Sequence, residues 1–259
     1  MIMVIEGRFK GKKAIITGAS SGIGRATAIR FAKEGGISTL ISLSITELEE
    51  VAKIIRENGG EVFIMEADVS REGQLSKAID DGVSRMDGLD IVISNAGIEL
   101  PFEDSMSDSL PIDIWQRIIN TNLTGQFLTC KHGISHLLKT GGGAVVMVGS
   151  PCGEKGFCFK EHAYSASKGG ILSLMRVMAL DYISYNIRVN ACIPGFINTP
   201  MNDHILKDST LSKTWIDTIP LKRPGTAEEV AAVILFLSSN DSSYVVGSAF
   251  AVDGGLLAA

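Results

Sequence analysis

A glycine-rich turn placed directly after the first apolar run constrains this chain more than any other feature. Lys13 to Thr17 reads as a β-strand, and Thr17-Gly18-Ala19-Ser20-Ser21-Gly22-Ile23-Gly24 leads from it into a helical pattern. Glycines so spaced let the backbone turn sharply, let a pyrophosphate approach the main chain, and let the helix pack close to the strand with its N-terminus facing the anion. The G-x3-G-x-G spacing is neither G-x-G-x-x-G nor a P-loop, which needs Lys and Ser/Thr after its last glycine. A turn of this kind can also simply connect a strand to a helix. The residues contain G-x-S-x-G as well (Gly18, Ser20, Gly22), but a hydrolase elbow lies deep in a sheet with acidic and histidine partners after it, and only one strand precedes this turn.

Short β-rich runs alternate with longer helical patterns down the rest of the chain, which is the mark of βαβ units wound into a parallel sheet. Strands are expected at Lys13 to Thr17, Ile37 to Leu43, Glu61 to Glu66, Leu89 to Ser94, Ala144 to Gly149, Ile187 to Ile193 and Val246 to Val252. Helices are expected at Gly22 to Glu34, Thr46 to Asn58, Gln74 to Arg85, Asp113 to Leu138, Tyr164 to Ser184 and Ala227 to Ser238. The fold class is therefore α/β: a Rossmann-type doubly wound parallel sheet of about seven strands with helices on both faces, in one domain over residues 1–259. Ile171, Leu172, Leu174, Met175, Val177, Met178, Leu180, Tyr182 and Ile183 surround the fifth helix, so both its faces need cover. The sheet covers one, and a neighbouring helix or, as we favour, a second subunit covers the other.

Bulk composition excludes several functions. The net charge of −5 and the lack of a Lys/Arg-rich run argue against nucleic acid. No stretch approaches a membrane span, and the first ten residues do not read as a signal peptide, so a cytoplasmic address is expected. Cys130, Cys152, Cys158 and Cys192 form no CxxC pair and read as reduced thiols, with packing the simplest role for Cys152 and Cys158.

Tyr164 and Lys168 lie at i, i+4, on one face of a helix about one turn apart. A nearby ammonium stabilises phenolate, so the phenol's pKa is expected to fall toward a range useful for proton transfer. Y-x3-K alone is weak evidence, and its companions carry the case.

Those companions resemble the short-chain dehydrogenase/reductase family, in order, over essentially the whole chain. They are the Thr17 to Gly24 turn, Asp68 after the third strand, Asn95-Ala96-Gly97 after the fourth, Asn122 in Asn-Leu-Thr-Gly, and Ser150 ending the fifth. Tyr164-x3-Lys168, Pro194-Gly195 with Thr199, and Asp253-Gly254-Gly255 complete the series. The resemblance implies an NAD(P)-dependent oxidoreductase acting on a small-molecule secondary alcohol or ketone, without a metal. It implies that Tyr164 is the acid/base, that Ser150 orients the substrate oxygen, that Lys168 holds the nicotinamide ribose, and that Asn122 anchors a relay water. It further implies cofactor contacts from Gly18, Ser20, Ser21, Gly22, Ile23 and Gly24, from Ser42, Leu43 and Ser44, and from Asp68 and Val69. Asn95, Ala96, Gly97, Tyr164, Lys168, Pro194, Gly195, Ile197 and Thr199 complete that set. Within the family the chain is similar to 3-oxoacyl carrier-protein reductases and glucose 1-dehydrogenases, and a homotetramer or homodimer is implied. A cofactor-binding regulator without catalysis is the alternative, and such a protein would be free to lose Tyr164, Lys168 or Ser150.

Three positions depart from the family pattern. Ser94 stands where another Asn is common, and the Ser150 to Tyr164 segment is one residue long. The second strand ends in Ser42-Leu43-Ser44, with neither the carboxylate that grips a ribose diol nor the basic residue that takes a 2′-phosphate. Hydroxyls can hydrogen-bond a phosphate, which tilts the reading to NADP over NAD.

Segments Pro101 to Ile112, Pro151 to Ala163 and Asn198 to Pro220 are irregular loops expected to shape a substrate pocket. Phe157, Phe159, Met201 and Trp215 would wall it, and Glu154, Lys155 and His162 would suit a polyol. His132 and His136 have zinc-ligand spacing without a third ligand and read as surface or interface histidines. Glu47, Glu49, Glu50 and Lys53 read as a solvated helix face.

Overall fold

The apolar runs become strands whose side chains alternate between two cores. Among the described residues, 4–156 and 158–259 of this computed structural model, nine strands form. They are β1 (Lys13–Thr17), β2 (Ile37–Ser42), β3 (Val62–Glu66), β4 (Ile91–Ser94), β5 (Gly143–Val148), β6 (Ile187–Pro194), β7 (Ile197–Asn198), β8 (Gly225–Thr226) and β9 (Ala249–Val252). Seven pair in the order β3-β2-β1-β4-β5-β6-β9, all parallel, while β7 and β8 pair separately. Ile15, Val92 and Val145 enter one core, and their neighbours Ile16, Ile93 and Val146 enter the other, as the two-residue period of a strand requires.

Helices α1 (Gly22–Lys33), α2 (Ile45–Glu57), α3 (Glu72–Met86), α4 (Ile112–Ile119), α5 (Gly125–Thr140), α6 (His162–Tyr182), α7 (Asp203–Leu206), α8 (Ser209–Thr218) and α9 (Ala227–Ser238) follow in turn. Residues of α3, α5 and α6 fill the first core, and residues of α1, α2 and α9 the second. Strand order reverses between β1 and β4, so a crevice opens at their carboxyl ends, where ligands of open α/β sheets bind.

Several expectations are corrected. The helix expected over Asp113 to Leu138 is broken by a π turn at Asn120–Thr124. Asn122 explains the break: its Nδ2 donates to Ile98 O (2.9 Å) and its Oδ1 accepts from Ile98 N (2.7 Å), tying the turn to the loop after β4. The irregular stretch after Asn198 contains α7 and α8, and the last strand of the sheet starts at Ala249 rather than Val246. Cys152 and Cys158 are not reduced thiols but a disulfide, with Cα atoms 5.7 Å apart. A short 3-10 turn at Pro151–Gly153 folds the loop back on itself and brings the two together. Cys130 and Cys192 remain free and buried.

Cover for α6 is also partial within one chain. Ile171, Leu172, Met175 and Met178 are buried, but Val177 is 56% and Leu180 77% exposed. At the amino edge of the sheet, Glu34 just after α1 is fully buried and paired with Arg8 (2.5 Å) and Arg30 (2.9 Å).

Candidate active site

The turn after β1 builds the floor of the crevice. Gly18 has φ of 63°, and a Cβ there would lie 2.8 Å from Ala96 Cα. A Cβ on Gly24 would collide with the Gly18 carbonyl, so no side chain fits where α1 packs against the turn. Thr17 Oγ1 accepts from Asn95 N (3.1 Å), and Asn95 Nδ2 donates to Thr17 O and Gly18 O (both 3.1 Å). The Asn95 side chain thus stitches the two loops on either side of the crevice.

A cleft of about 800 Å³ runs along this edge. From the residues expected at the site it collects Gly18, Ser20, Ser21, Gly22 and Ile23 of the turn, Ser42, Leu43 and Ser44 after β2, and Asp68 and Val69 after β3. Asn95, Ala96, Gly97, Ser150, Tyr164, Lys168, Pro194, Gly195, Ile197 and Thr199 line it as well. Gly24 and Asn122 do not, because both are buried behind it. The cleft suits a dinucleotide: its size is that of a cofactor pocket, and the glycines leave the first turn of α1 open to an anion.

At the end near β2, Ser42 Oγ donates to Ser20 Oγ (3.0 Å), and Ser44 caps α2 by accepting from Glu47 N (3.3 Å). Asp68 Oδ1 accepts from the amide (2.8 Å) and hydroxyl (2.7 Å) of Ser70. Glu47 and Arg71 line this end too, which corrects the reading of Glu47 as merely solvated. Arg71 was not singled out, since its turn position follows from no local pattern.

At the other end, the Tyr164 phenol and the Ser150 hydroxyl line the cleft together, and Ser150 Oγ accepts from Cys152 N (3.3 Å). Lys168 Nζ lies 5.5 Å from the centre of the Tyr164 ring and donates to Val148 O (3.1 Å). The expected fall of the tyrosine pKa is not what this environment sets. Burial first, and then Glu99, push the Tyr164 phenol up, while Ser150 opposes them. Burial likewise lowers Lys168 to about 8, against the pull of Glu99.

Sequence reasoning missed three carboxylates here. Glu99 and Glu161 both line the cleft, and each acts on the other's titration. Burial raises both; Glu99 then pushes Glu161 further, to about 8, whereas Glu161, His204 and Lys168 each pull Glu99 back. Buried Asp104 accepts from Ala163 N (3.1 Å) and Tyr164 N (2.9 Å), capping the helix that carries the tyrosine. Position offered a signal: Glu99 stands two residues after Asn95-Ala96-Gly97, and Glu161 three before Tyr164. No comparable signal marks Asp104.

The loop residues divide. Met201 and Trp215 line the cleft, with Trp215 stacked on Phe196 at 5.5 Å, and the Cys152–Cys158 bridge lines it as well. Phe159 is 87% exposed and outside the lining, and Phe157 lies outside the described residues. Glu154 and Lys155 do not line the cleft; Lys155 bonds the Ala259 carbonyl, and His162 pairs with Ser107 (2.7 Å). His132 and His136 bridge α5 to Glu72 (3.2 Å) and Asp80 (2.7 Å) of α3.

Comparison with known proteins points the same way as the geometry. A family profile described as Enoyl-(Acyl carrier protein) reductase matches residues 18–257. Glucose 1-dehydrogenase of Gluconobacter oxydans is 38% identical over 96% of this chain and 93% of its own length. A 3-oxoacyl-acyl-carrier-protein reductase of Thermotoga maritima is 36% identical over 96% and 99%. Among solved structures, levodione reductase superposes with a TM-score of 0.92 at 35% identity, covering 97% of this chain and 99% of that one. Carveol dehydrogenase from Mycobacterium avium, in complex with NAD, gives 0.90 at 30% identity, covering 98% and 100%.

Proposed function

The chain belongs to the short-chain dehydrogenase/reductase family, and on that premise we propose that Tyr164 exchanges the proton while hydride passes between a nicotinamide cofactor and a secondary alcohol or ketone. The family activity is NAD(P)-dependent oxidoreduction at CH-OH groups. The observation that carries the residue roles is the convergence of Ser150, Tyr164 and Lys168 on one end of the cleft whose other end is the glycine turn. When bound, the cofactor supplies or accepts the hydride.

In reduction Tyr164 donates its proton to the carbonyl oxygen, and in oxidation it takes the hydroxyl proton. Ser150, which lines the same cleft as the phenol, orients the same oxygen. Lys168, as ammonium, offsets the carboxylates and burial that hold the phenol's proton, and it binds the nicotinamide ribose. Asn122 braces the π turn beside Lys168 and anchors the relay water. Because all three reactive groups are present at the cleft, nothing favours a silent regulator.

The cofactor proposed is NADP over NAD. The Ser20 and Ser42 hydroxyls and the Arg71 guanidinium suit a 2′-phosphate, while Glu47 opposes it. The substrate is a sugar, polyol or 3-oxoacyl compound, and the whole chain works as one domain in the cytoplasm. We propose a homotetramer, because Val177 and Leu180 on α6 and Phe127 on α5 leave apolar surface exposed. Among the described residues no helix is long and apolar enough to cross a membrane.

Affinities for NADPH and NADH measured side by side, followed by absorbance at 340 nm over a panel of ketones and alcohols, test this reading. NADPH should bind more tightly and some substrate should turn over. Tighter NADH binding reverses the cofactor assignment, and a silent panel with both cofactors removes the enzyme reading.

A further inference from the structure

We propose that Glu99 and Glu161 act as one substrate-selecting element, which accepts a neutral polyhydroxy compound and turns away substrates carrying a carboxylate or phosphate beside the reacting carbon. The proposal rests on the dehydrogenase/reductase reading and deepens it.

The two side chains come from different segments, the loop after β4 and the residue ahead of α6, and meet in the cleft that also holds Ser150 and Tyr164. Both line the same cleft, and each acts on the other's titration. In the proposed element one proton is held between the two carboxyls, which leaves one negative charge and one O–H donor alongside several acceptor sites. Glu34 differs, since two guanidiniums neutralise it from within the protein. No arginine meets Glu99 or Glu161 in this way: Lys168 acts on Glu99 only through its field, and its hydrogen bond goes to Val148 O.

That chemistry discriminates among ligands. A substrate with a second hydroxyl next to the reacting carbinol can donate to the carboxylate and accept from the carboxyl, using both halves of the pair. An anion at the same place meets net negative charge in a partly desolvated cleft and is repelled. A cation gains from the pair but faces the Lys168 ammonium and, across the pair, His204, which already act on Glu99. A neutral polyol is the ligand that every nearby charge tolerates.

The test compares four probes on the wild-type enzyme with saturating cofactor: butane-2,3-diol, butan-2-ol, 3-hydroxybutyrate and 1-aminopropan-2-ol. The diol should exceed the mono-alcohol in kcat/KM by about tenfold, as one additional hydrogen bond to a charged group allows, and the hydroxybutyrate should be the poorest. Glu99→Gln and Glu161→Gln should each bring the diol and mono-alcohol together, mainly through KM, and improve use of hydroxybutyrate, with cofactor affinity unchanged. Equal use of diol and mono-alcohol by the wild type, a preference for the amino alcohol, or a ranking unmoved in both variants would overturn the proposal. Calorimetric binding of the same probes to the enzyme–cofactor complex needs no turnover. A silent enzyme that still ranks the four as stated would sink the oxidoreductase reading and keep this one.

Discussion

Carboxylates at the two edges of the sheet, Glu34 at one and the partly buried Glu99 and Glu161 at the other, are treated oppositely. At the amino edge of the sheet Glu34 is fully enclosed and clasped by Arg8 and Arg30, so its charge is met entirely by the protein. At the carboxyl edge Glu99 and Glu161 line the cleft with Tyr164, no guanidinium among the described residues forms an ion pair with either, and burial raises both carboxyls. The first arrangement locks the end of α1 to the chain ahead of β1. The second leaves two acidic side chains lining the cleft. The same residue type is thus structural at one edge and chemical at the other, and partner supply makes the difference.

That contrast can be broken by substitution. The largest effect should come from Tyr164→Phe, which keeps the ring but removes the proton: kcat should fall about a thousandfold with cofactor affinity and thermal stability nearly unchanged. Substantial residual turnover would remove Tyr164 from its role. Glu34→Gln should do the reverse, leaving kcat/KM of the folded enzyme intact while costing about 3 kcal/mol of stability by stranding two buried guanidiniums. That corresponds to a melting point lower by about 6–12 °C; a change in kcat/KM instead would erase the distinction between the edges.

Asp104→Ala should fall between the two. It removes both acceptors from the start of α6, so stability should drop by about 1–2 kcal/mol, and kcat should fall about tenfold through misplacement of Tyr164, an order of magnitude being typical of small positional errors. Asp104→Asn, which keeps one acceptor, should restore part of kcat; no restoration would make the role electrostatic rather than positional.

A pH series sharpens the comparison further. The folded-state pKa of Glu161, about 8, lies above its ordinary value, so the folded protein holds a proton that the unfolded chain releases. The associated stability is fully present below about pH 4.5 and is lost as pH rises through 8. Glu161→Gln should therefore match wild type at pH 5 and melt higher at pH 9, by about 2–4 °C for each kcal/mol involved. An equal gap at both pH values would show that Glu161 does not titrate there. The smallest effect should follow from reducing Cys152–Cys158 with a dithiol. KM for substrate should rise by roughly a factor of a few, since only one loop beside the cleft loosens, with cofactor affinity kept. A change in cofactor affinity would place the bridge's influence elsewhere.

Much of the site was legible because its motifs are local. The glycine turn, Tyr164-x3-Lys168 and Asn95-Ala96-Gly97 sit at strand ends or helix starts, and a parallel α/β sheet gathers all such ends on one edge. The expected strands and helices lie within a few residues of those observed, except that Asn122 breaks the long helix into α4 and α5 and that α7 and α8 occupy a stretch expected to be irregular. The substrate side was read less well. Glu154 and Lys155 looked available in sequence but do not reach the cleft, while Glu99 and Glu161 do.

The order of the main strands and helices, the glycine turn and the tyrosine–lysine spacing were all legible in the sequence, because period, glycine placement and i, i+4 geometry act over a few residues. Folding in three dimensions settled that Asp104 caps a helix about 60 positions away, that Cys152 meets Cys158, and that two glutamates line one cleft with Tyr164. Those outcomes depend on which loops the folded sheet brings together and how much water it leaves between them, and neither quantity is written in any local pattern.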